Sequence, residues 1–358
     1  MRVSEALKLV PNAEDEPPGP QLPPVVGLDA LLQLVPAEPL LGRLLYRDTL
    51  AQIAGAAGSF KSFIAVGIGC AIASGKPWGQ HEVGERAKVL YVAAEGGKGV
   101  GQRAAAWCLH YGIEPSDLFE WFYTIPEPVQ LANETHVDHL LGIVEEMQPD
   151  LVILDTRARV TVGLEENSAT DQGEAIENAE RVRRSVGCTV LVVHHTGKNG
   201  TQRGTTAWPG AIWSDLTLER TGQQVDATGK PLGATVTVEK HKDAEIPGPK
   251  SFDMVAVEIP PEWMPNVTDP AQLRSLVAVP TDAPHTSVAR MEDRRGAQQQ
   301  ATAEAIGVIG AWLREQHAET GTVPGRRKTQ AWMKDEGVGL DTSTLSELIR
   351  DTKKELTE

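Results

Sequence analysis

Runs of apolar residues alternate with amphipathic segments over most of the chain. Continuous apolar runs such as "VLYVA", "LVILD" and "TVLVV" are typical of strands that are buried on both faces. Between them lie segments with helical periodicity, and "SFIAVGIGCAIASG" is apolar nearly all round, which predicts a buried helix. The alternation predicts an α/β fold, with a mostly parallel sheet flanked by helices.

The second part of the chain has a different pattern. "SDLTLERTG" and "GATVTVEKHKD" predict two strands joined by the hairpin-like segment "QQVDATGKPL", and "KSFDMVAVEI" predicts a third. We expect these strands to add antiparallel at one edge of the sheet. Prolines and charges over 261–300 predict a linker, and helical periodicity over 301–358 predicts a small helical C-terminal domain.

The chain has 358 residues, of which 41% are hydrophobic, a proportion typical of folded proteins. No apolar run is long enough to span a bilayer, and the acidic, proline-rich segment 1–25 lacks the apolar core of a signal peptide. We expect a flexible arm over 1–25 and a cytoplasmic protein without membrane contact. The cysteines stand singly, so we expect buried free thiols at Cys70, Cys108 and Cys188.

The formal net charge is -15, whereas a protein that coats nucleic acid with its whole surface is normally basic. Binding of DNA or RNA would therefore need a local basic loop or channel. The salt dependence of such binding would follow that local patch and not the charge of the whole chain.

The stretch "IAGAAGSFKSFIA" joins a predicted strand to the buried helix. Its glycines permit a tight turn, and backbone N–H groups at the start of a helix bind anions. Lys61 would reach the outer phosphates, and Ser62 would hold Mg²⁺. Phe60 stands where the usual pattern has glycine, so an ordinary turn with a solvated lysine is the alternative. The residues assigned to the nucleotide are Gly55, Ala56, Ala57, Gly58, Ser59, Phe60, Lys61 and Ser62.

Three other predicted strands lead into polar residues. Asp155 ends "LVILD", where a carboxylate orients Mg²⁺ and its water, although it could instead cap the next turn. Glu95 follows "VLYVA" and is a candidate general base, while His194 and His195 end another strand and can sense a γ-phosphate. Because ligands of open α/β sheets bind at the carboxyl edge, the four strand ends together predict an ATP site.

These motifs, in this order, resemble those of the RecA-like ATPases, in particular the RepA-type replicative helicase family of plasmids and its phage-encoded relatives. The resemblance covers 39–259 and rests on "GSFKSFIAVGIGC", "VLYVAAEGG", "LVILDT", "VVHHTGK" and "RGTTAWPGAIWSDLTLE". It implies a RecA-like ATPase domain over 26–260, Mg²⁺-dependent ATP hydrolysis, and assembly into a ring or filament. Loops of the form G-x-x-G-[ST]-[FY]-K-S are familiar in this family, so Phe60 is compatible with function.

The resemblance also implies a role for each matching residue. Lys61 and Ser62 match the Walker A pair, Glu95 the catalytic glutamate, Asp155 the Walker B aspartate, and His195 the polar sensor, with His194 as the competing choice.

The segment that follows the sensor, "HHTGKNGTQRGTTAWPG", matches a mobile loop that lines the central channel in RecA-like proteins and touches single-stranded DNA. Lys198 and Arg203 would meet phosphates there. Arg203 could instead reach the γ-phosphate of a neighbouring subunit. For Trp208 we weigh stacking on a base against packing under the loop, and favour packing.

Basic residues at the end of a late strand enter the adjacent subunit's site in ring helicases of this group, and the resemblance gives this role to Lys240 and Lys242. Lysine lacks the bidentate fork of arginine, so two solvated lysines are the alternative. The segment "GRRKTQAWMKDEG" in the C-terminal domain is compatible with a winged-helix or helix-turn-helix reader of DNA, or with a partner-binding module.

The sequence-based hypothesis is an ATP-hydrolysing motor on single-stranded DNA, resembling a phage or plasmid replicative helicase. The alternatives are a recombinase-like filament and a nucleotide-gated scaffold with slow hydrolysis. The cofactors would be ATP and Mg²⁺. The partners would be single-stranded DNA or RNA, further copies of the chain, and other replication proteins.

Overall fold

The computed structural model describes residues 27–196, 205, 207–282 and 285–357, apart from the side chains of 286–301 and 357. The chain divides into two units, Met1–Glu38 and Pro39–Glu358. In the first unit, the short helix α1 (Leu28–Leu31) exposes its leucines. The predicted flexible arm over 1–25 lies outside the described residues.

The second unit begins with an antiparallel pair, β1 (Pro39–Leu41) and β2 (Leu45–Tyr46), and continues into a sheet with nine described strands. In chain order these are β3 (Leu50–Gly55), β4 (Val89–Ala93), β5 (Phe122–Ile125), β6 (Leu151–Asp155), β7 (Thr189–His195), β8 (Ser214–Arg220), β9 (Gly233–His241), β10 (Lys250–Glu258) and β11 (Arg274–Thr281). Their spatial order is β11-β10-β9-β8-β3-β7-β6-β4-β5. Strands β3 to β8 pair in parallel, and β8 to β11 pair antiparallel, so the predicted α/β fold is confirmed.

Helices connect these strands. They are α2 (Lys61–Ser74), α3 (Gly97–Tyr111), α4 (Glu134–Met147), α5 (Arg157–Val160), α6 (Ala169–Val186), α7 (Ala207–Ala211), α8 (Thr286–Thr320), α9 (Arg326–Glu336) and α10 (Thr342–Thr357). Short 3₁₀ turns occupy Pro115–Leu118, Pro261–Trp263 and Pro270–Gln272. No helix in the described part of the chain is both long enough and apolar enough to cross a membrane.

The two faces of the sheet carry separate apolar cores, because successive side chains of a strand point to opposite faces. The face with Ile53 and Ile153 packs against α2 and α3. The opposite face, with Val92 and Val152, packs against α4 and α6. As the sequence predicted, three free cysteines are buried: Cys70, Cys108 and Cys188.

Helix α2 lies inside the first core and carries the candidate phosphate-binding lysine at its first position. Its residues from Ile64 to Ala73 are all buried, as the apolar pattern predicted. The helix ends at Ser74, and Gly75 after it has a φ of 68°, a value that glycine adopts more readily than other residues. Helix α6 begins after Ser168, whose hydroxyl caps the helix by accepting a hydrogen bond from the Asp171 amide.

The predicted linker over 261–300 is corrected by the structure. Strand β11 pairs antiparallel with β10 along its whole length, and α8 begins at Thr286. Proline is tolerated here because β11 is the edge strand of the described sheet, and Pro280 borders no further described strand. Within β11, Val277 and Ala278 are buried and attach this strand to the first core.

Helices α8, α9 and α10 form a C-terminal bundle with an apolar core of its own, built from Ala305, Ile309, Leu313, Met333, Leu345 and Ile349. Trp312 and Trp332 stack beside it, with ring centroids 4.5 Å apart and an interplanar angle of 10°. The predicted helical C-terminal region is present, although α8 starts earlier than the predicted boundary at 301. A role for these helices in binding DNA stays a prediction.

Candidate functional site

The polar residues singled out in the sequence meet at one edge of the sheet. In the parallel pairing, Gly55 lies opposite His195, and Ala93 lies opposite Asp155. Asp155 lies opposite Val193, two residues before His195, so the carboxyl ends of β3, β4, β6 and β7 lie at one edge of the sheet. Because polar groups at this edge converge on a shared crevice, the site forms from residues that are far apart in the chain.

The turn between β3 and α2 is tightly shaped. A Cβ atom at Gly55 would lie 2.4 Å from the carbonyl oxygen of Leu218, so only glycine fits there. Gly58 has a φ of 75°, and Phe60, the residue before α2, has a φ of 72°. This left-handed backbone at Phe60 is strained by about 1–2 kcal/mol and brings the chain into the helix at Lys61.

Lys61 is only 3% exposed and folds back onto the turn. Its ammonium donates to the carbonyl oxygens of Gly55 at 2.8 Å and Ala56 at 2.7 Å. Burial lowers the pKa of Lys61 to about 8, against the opposing effect of Asp155 and Glu95. A cation that loses its hydration in this way binds strongly to an anion that enters the turn.

The Phe60 ring packs against the first core and not over the turn. It meets the Phe63 ring edge-on at 5.9 Å, and the guanidinium of Arg220 lies 4.5 Å from its centroid. The side chain that replaces glycine in the usual pattern is therefore packed against Phe63, Arg220 and the first core.

Asp155 is 5% exposed, and its two carboxylate oxygens differ. Oδ2 accepts a hydrogen bond from the Tyr91 hydroxyl at 2.5 Å. Oδ1 is buried without a hydrogen-bond partner among the described residues. Such an orphaned acceptor is costly unless a ligand satisfies it, and a hydrated cation supplies the missing donors.

Magnesium fits this donor set. Mg²⁺ in nucleotide sites keeps several waters and takes few protein ligands besides the phosphates. Asp155 and Ser62, the second residue of α2, are the residues that would hold it. Within the described residues, no group of three or more His, Cys, Asp or Glu side chains forms a metal site independent of a nucleotide.

Glu95 follows β4 and faces the ends of the neighbouring strands. Its Oε1 accepts a hydrogen bond from the Thr156 hydroxyl at 2.7 Å, and His195 Nε2 lies 3.6 Å from the same oxygen. The Glu95 side chain is 48% exposed, so water reaches its carboxylate. Burial, with Lys61 nearby, lowers the pKa of His195, so the imidazole is neutral at physiological pH.

A comparison with known families agrees with this geometry. The model of a family described as an AAA domain matches residues 16–201, a little over half of the chain. The chain belongs to this AAA domain family. It is a P-loop ATPase with a RecA-like fold, and the match includes Lys61, Glu95, Asp155 and His195. No curated protein matches the chain.

In this AAA domain the two histidines of β7 point to different surroundings. His195 faces Glu95, whereas His194 is buried and lies 2.9 Å from a guanidinium nitrogen of Arg157. The Arg157 guanidinium also lies 5.4 Å from the ring of Trp208, which is fully buried. Trp208 is therefore packed in the second core and not exposed for stacking on a base, and the sequence favoured packing.

Lys240 and Lys242 do not join the site of their own AAA domain. Lys240 lies opposite Asp215 at the amino edge of the sheet, and Asp215 lies opposite Gln52 on β3. The ammonium of Lys240 donates to the carbonyl oxygen of Pro209 at 2.8 Å, and that of Lys242 to Ala211 at 2.9 Å. Lys198 and Arg203 lie outside the described residues.

Two cavities differ in what they offer a ligand. A cavity of about 410 Å³ between α3 and 263–267 is lined almost wholly by apolar groups, among them Phe119 and Met264. A smaller cavity of about 360 Å³ opens beside Gly55, Thr196 and Glu239. We assign the nucleotide to the P-loop edge, because only this edge combines Lys61 with the carboxylates.

Three further residues of the AAA domain hold the site, and the sequence did not single them out: Tyr91, Thr156 and Arg157. Thr156 and Arg157 directly follow Asp155, so their position after the Walker B strand was a usable signal. The sequence contains no comparable signal for Tyr91, because an aromatic residue in the middle of an apolar strand is typical of a core.

Proposed function

We propose that this protein is a Mg²⁺-dependent ATPase that acts on single-stranded DNA, a helicase-like motor related to the RepA-type replicative family. ATP would lie between subunits of a ring or filament. The observation that carries the proposal is the convergence of Lys61, Glu95 and Asp155 at the strand edge from which the predicted DNA-binding loop departs.

The residues at this edge suit phosphoryl transfer to water. Lys61 exchanges its two carbonyl partners for phosphate oxygens and neutralises charge that develops on the γ-phosphate. Glu95 orients the attacking water and takes its proton. The Thr156 hydroxyl fixes one oxygen of Glu95 and leaves the other for the water.

Asp155 and Ser62 would hold Mg²⁺ beside the phosphates. When bound, the ion would supply positive charge that offsets the charge of the phosphate oxygens. Asp155 contributes through Oδ1, the oxygen that has no partner among the described residues.

The predicted DNA-binding loop is joined to the nucleotide site at its start. The Thr196 amide donates to the carbonyl oxygen of Gly55 at 3.0 Å, so the first residue after β7 is bonded to the P-loop. His195, one residue earlier, lies beside Glu95. A change at the γ-phosphate thus has a short path to Lys198 and Arg203, which we propose as contacts to DNA or RNA phosphates.

A basic residue from a neighbouring subunit would complete the site. Lys240 and Lys242 lie at the amino edge of the sheet, so they can act only on the nucleotide of another copy. Arg203 is the competing candidate. Each would stabilise charge in the transition state in the manner of an arginine finger.

The test is the rate of ATP hydrolysis with and without single-stranded DNA. We expect DNA to stimulate the wild type, and Glu95→Gln to lose about 100-fold or more of its turnover while it still binds ATP. Glu120→Gln is the control, since Glu120 is exposed and lies next to the start of β4, at the opposite edge.

Equal rates for wild type and Glu95→Gln would remove Glu95 from the mechanism. A rate of ATP hydrolysis that does not change when single-stranded DNA or RNA is added would favour a nucleotide-gated scaffold. Strand exchange without displacement of a forked duplex would favour a recombinase-like filament.

A further inference from the structure

Tyr91 is the only described residue that donates a hydrogen bond to the Walker B carboxylate, and it comes from a neighbouring strand. Tyr91 lies opposite Ile153 in the β4–β6 pairing, two residues before the level of Asp155. Both side chains project from the same face of the sheet, so the phenol spans the diagonal and reaches Oδ2 at 2.5 Å. The contact is thus set by strand register.

The surroundings of Tyr91 hold its ring in one place. The side chain is 0% exposed, and its ring stacks on Phe122 with centroids 6.1 Å apart. A hydroxyl to carboxylate bond inside such a core is short and strong, because neither group has competing water. A phenol is protonated at neutral pH, so the Tyr91 hydroxyl can act as the donor.

Because of this hydrogen bond, the two oxygens of the Asp155 carboxylate have different surroundings. Oδ2 is occupied by the phenol, while Oδ1 is buried and has no partner among the described residues. Rotation of the carboxylate would break this buried hydrogen bond and leave the phenol without its acceptor. The ring packing alone does not explain the placement of the hydroxyl, since a phenylalanine would fill the same space.

We propose that Tyr91 is a positioning residue for magnesium: its hydroxyl fixes Asp155 so that Oδ1 is presented to the hydrated ion that accompanies the nucleotide. The inference rests on the proposed Mg²⁺-dependent ATPase function. Outer residues that orient metal-binding carboxylates typically change metal affinity by about 10- to 100-fold when they are removed.

The experiment measures equilibrium binding of a non-hydrolysable ATP analogue as Mg²⁺ is titrated. Tyr91→Phe should move the Mg²⁺ midpoint upward by about 10-fold or more, with weak binding in the absence of Mg²⁺ unchanged. The control is Tyr111→Phe, which removes another buried hydroxyl, from the end of α3, and should leave the midpoint at the wild-type value.

The Asp155→Asn background tests the path of the effect. If Tyr91 acts through Asp155, Tyr91→Phe should add no further shift in that background. Equal midpoints for wild type, Tyr91→Phe and Tyr111→Phe would overturn the inference while the proposed function stands. Failure of the wild type to bind the analogue at any Mg²⁺ concentration would overturn the proposed function, and the inference with it.

A second measurement does not depend on how well Tyr91→Phe folds. The chain has four tyrosines, so incorporation of 3-fluorotyrosine gives few ¹⁹F resonances: Tyr46, Tyr91, Tyr111 and Tyr123. Phenylalanine variants of the other three assign Tyr91 by elimination. Its resonance should shift when Mg²⁺ is added to the analogue complex, and a resonance that stays in place would contradict the proposed role.

Discussion

Lys61 shows how one residue combines a structural cost with a functional use. The folded chain removes its ammonium from water, and two carbonyl oxygens of the P-loop compensate in part. The pKa of Lys61 is lowered to about 8, which reflects the part of the desolvation cost that these hydrogen bonds do not offset. A phosphate in the turn would supply the missing counter-charge, so the cost of burying the ammonium favours anion binding.

The low pKa of Lys61 predicts a pH dependence of stability. In the unfolded chain the pKa is the ordinary 10.5, so between about 8 and 10.5 the unfolded state binds more protons than the folded state. The free energy of unfolding should therefore rise with pH in this window, by at most about 1.4 kcal/mol per pH unit, and this gain is absent below the folded pKa.

Urea unfolding of wild type and Lys61→Met at several pH values checks this expectation. The methionine does not titrate, and other groups cancel in the difference between the two proteins. The stability of the wild type relative to Lys61→Met should increase as the pH rises above about 8. A difference that stays constant up to pH 10.5, the ordinary pKa, would contradict the burial of a charged Lys61.

At the scale of elements, the end of β6 and the turn that follows it contact the neighbouring strands β4 and β7. The consecutive residues Asp155, Thr156 and Arg157 reach Tyr91 on β4, Glu95 after β4, and His194 on β7 respectively. Because successive side chains leave the chain in different directions, one short turn can hold partners on both sides. The end of β6 and this turn are therefore hydrogen-bonded to residues of both neighbouring strands and to Glu95 after β4.

Arg157 is the member of this turn that reaches both flanks of the predicted DNA-binding loop. It contacts His194 before the loop and Trp208 after it, and lies 3.9 Å from Glu166. We predict that Arg157→Ala lowers the free energy of unfolding by about 2 kcal/mol, because a buried imidazole loses a partner and a packed space is emptied.

The control for this change is Arg159→Ala, on the same short helix α5 but exposed, which should stay within about 0.5 kcal/mol of wild type. Urea unfolding of the three proteins gives the comparison. Equal stability of the two variants would mean that the Arg157 contacts contribute nothing net to the fold.

At the scale of the whole molecule, the residues proposed to bind and hydrolyse ATP lie at one edge of the sheet, and the lysines proposed to act on a neighbouring copy lie at the other. Lys61, Glu95 and Asp155 meet at the carboxyl edge, and Lys240 lies at the amino edge. In an assembly with sites between subunits, one edge of each copy would face the opposite edge of the next. The two sets of residues would then act on the same nucleotide.

This arrangement predicts complementation in mixed assemblies. The double variant Lys240→Ala/Lys242→Ala and the variant Glu95→Gln should each lose ATP hydrolysis while binding nucleotide. In an equal mixture, roughly one interface in four combines an intact Glu95 with intact lysines, so turnover should return in part. Hydrolysis by the mixture that equals the mean of the separate variants would argue against lysines acting across the interface.

The sequence by itself determined the order of most strands and helices along the chain and the main candidates for the site. Continuous apolar runs define buried strands locally. Lys61 follows from the turn between a strand and a helix, and Glu95 and Asp155 from their position at strand ends. The edge strand β11 was missed, because its prolines and the charges around it resemble a linker when the neighbouring β10 is not known.

Only the tertiary structure decided which side chains meet. The register of β4 against β6 brings Tyr91 to Asp155. The register of β7 against β6 puts His195, and not His194, on the same face as Asp155 and beside Glu95. The antiparallel course of β9 carries Lys240 to the far edge of the sheet. These placements depend on strand order and register between distant segments, which a local pattern of apolar and polar residues does not contain.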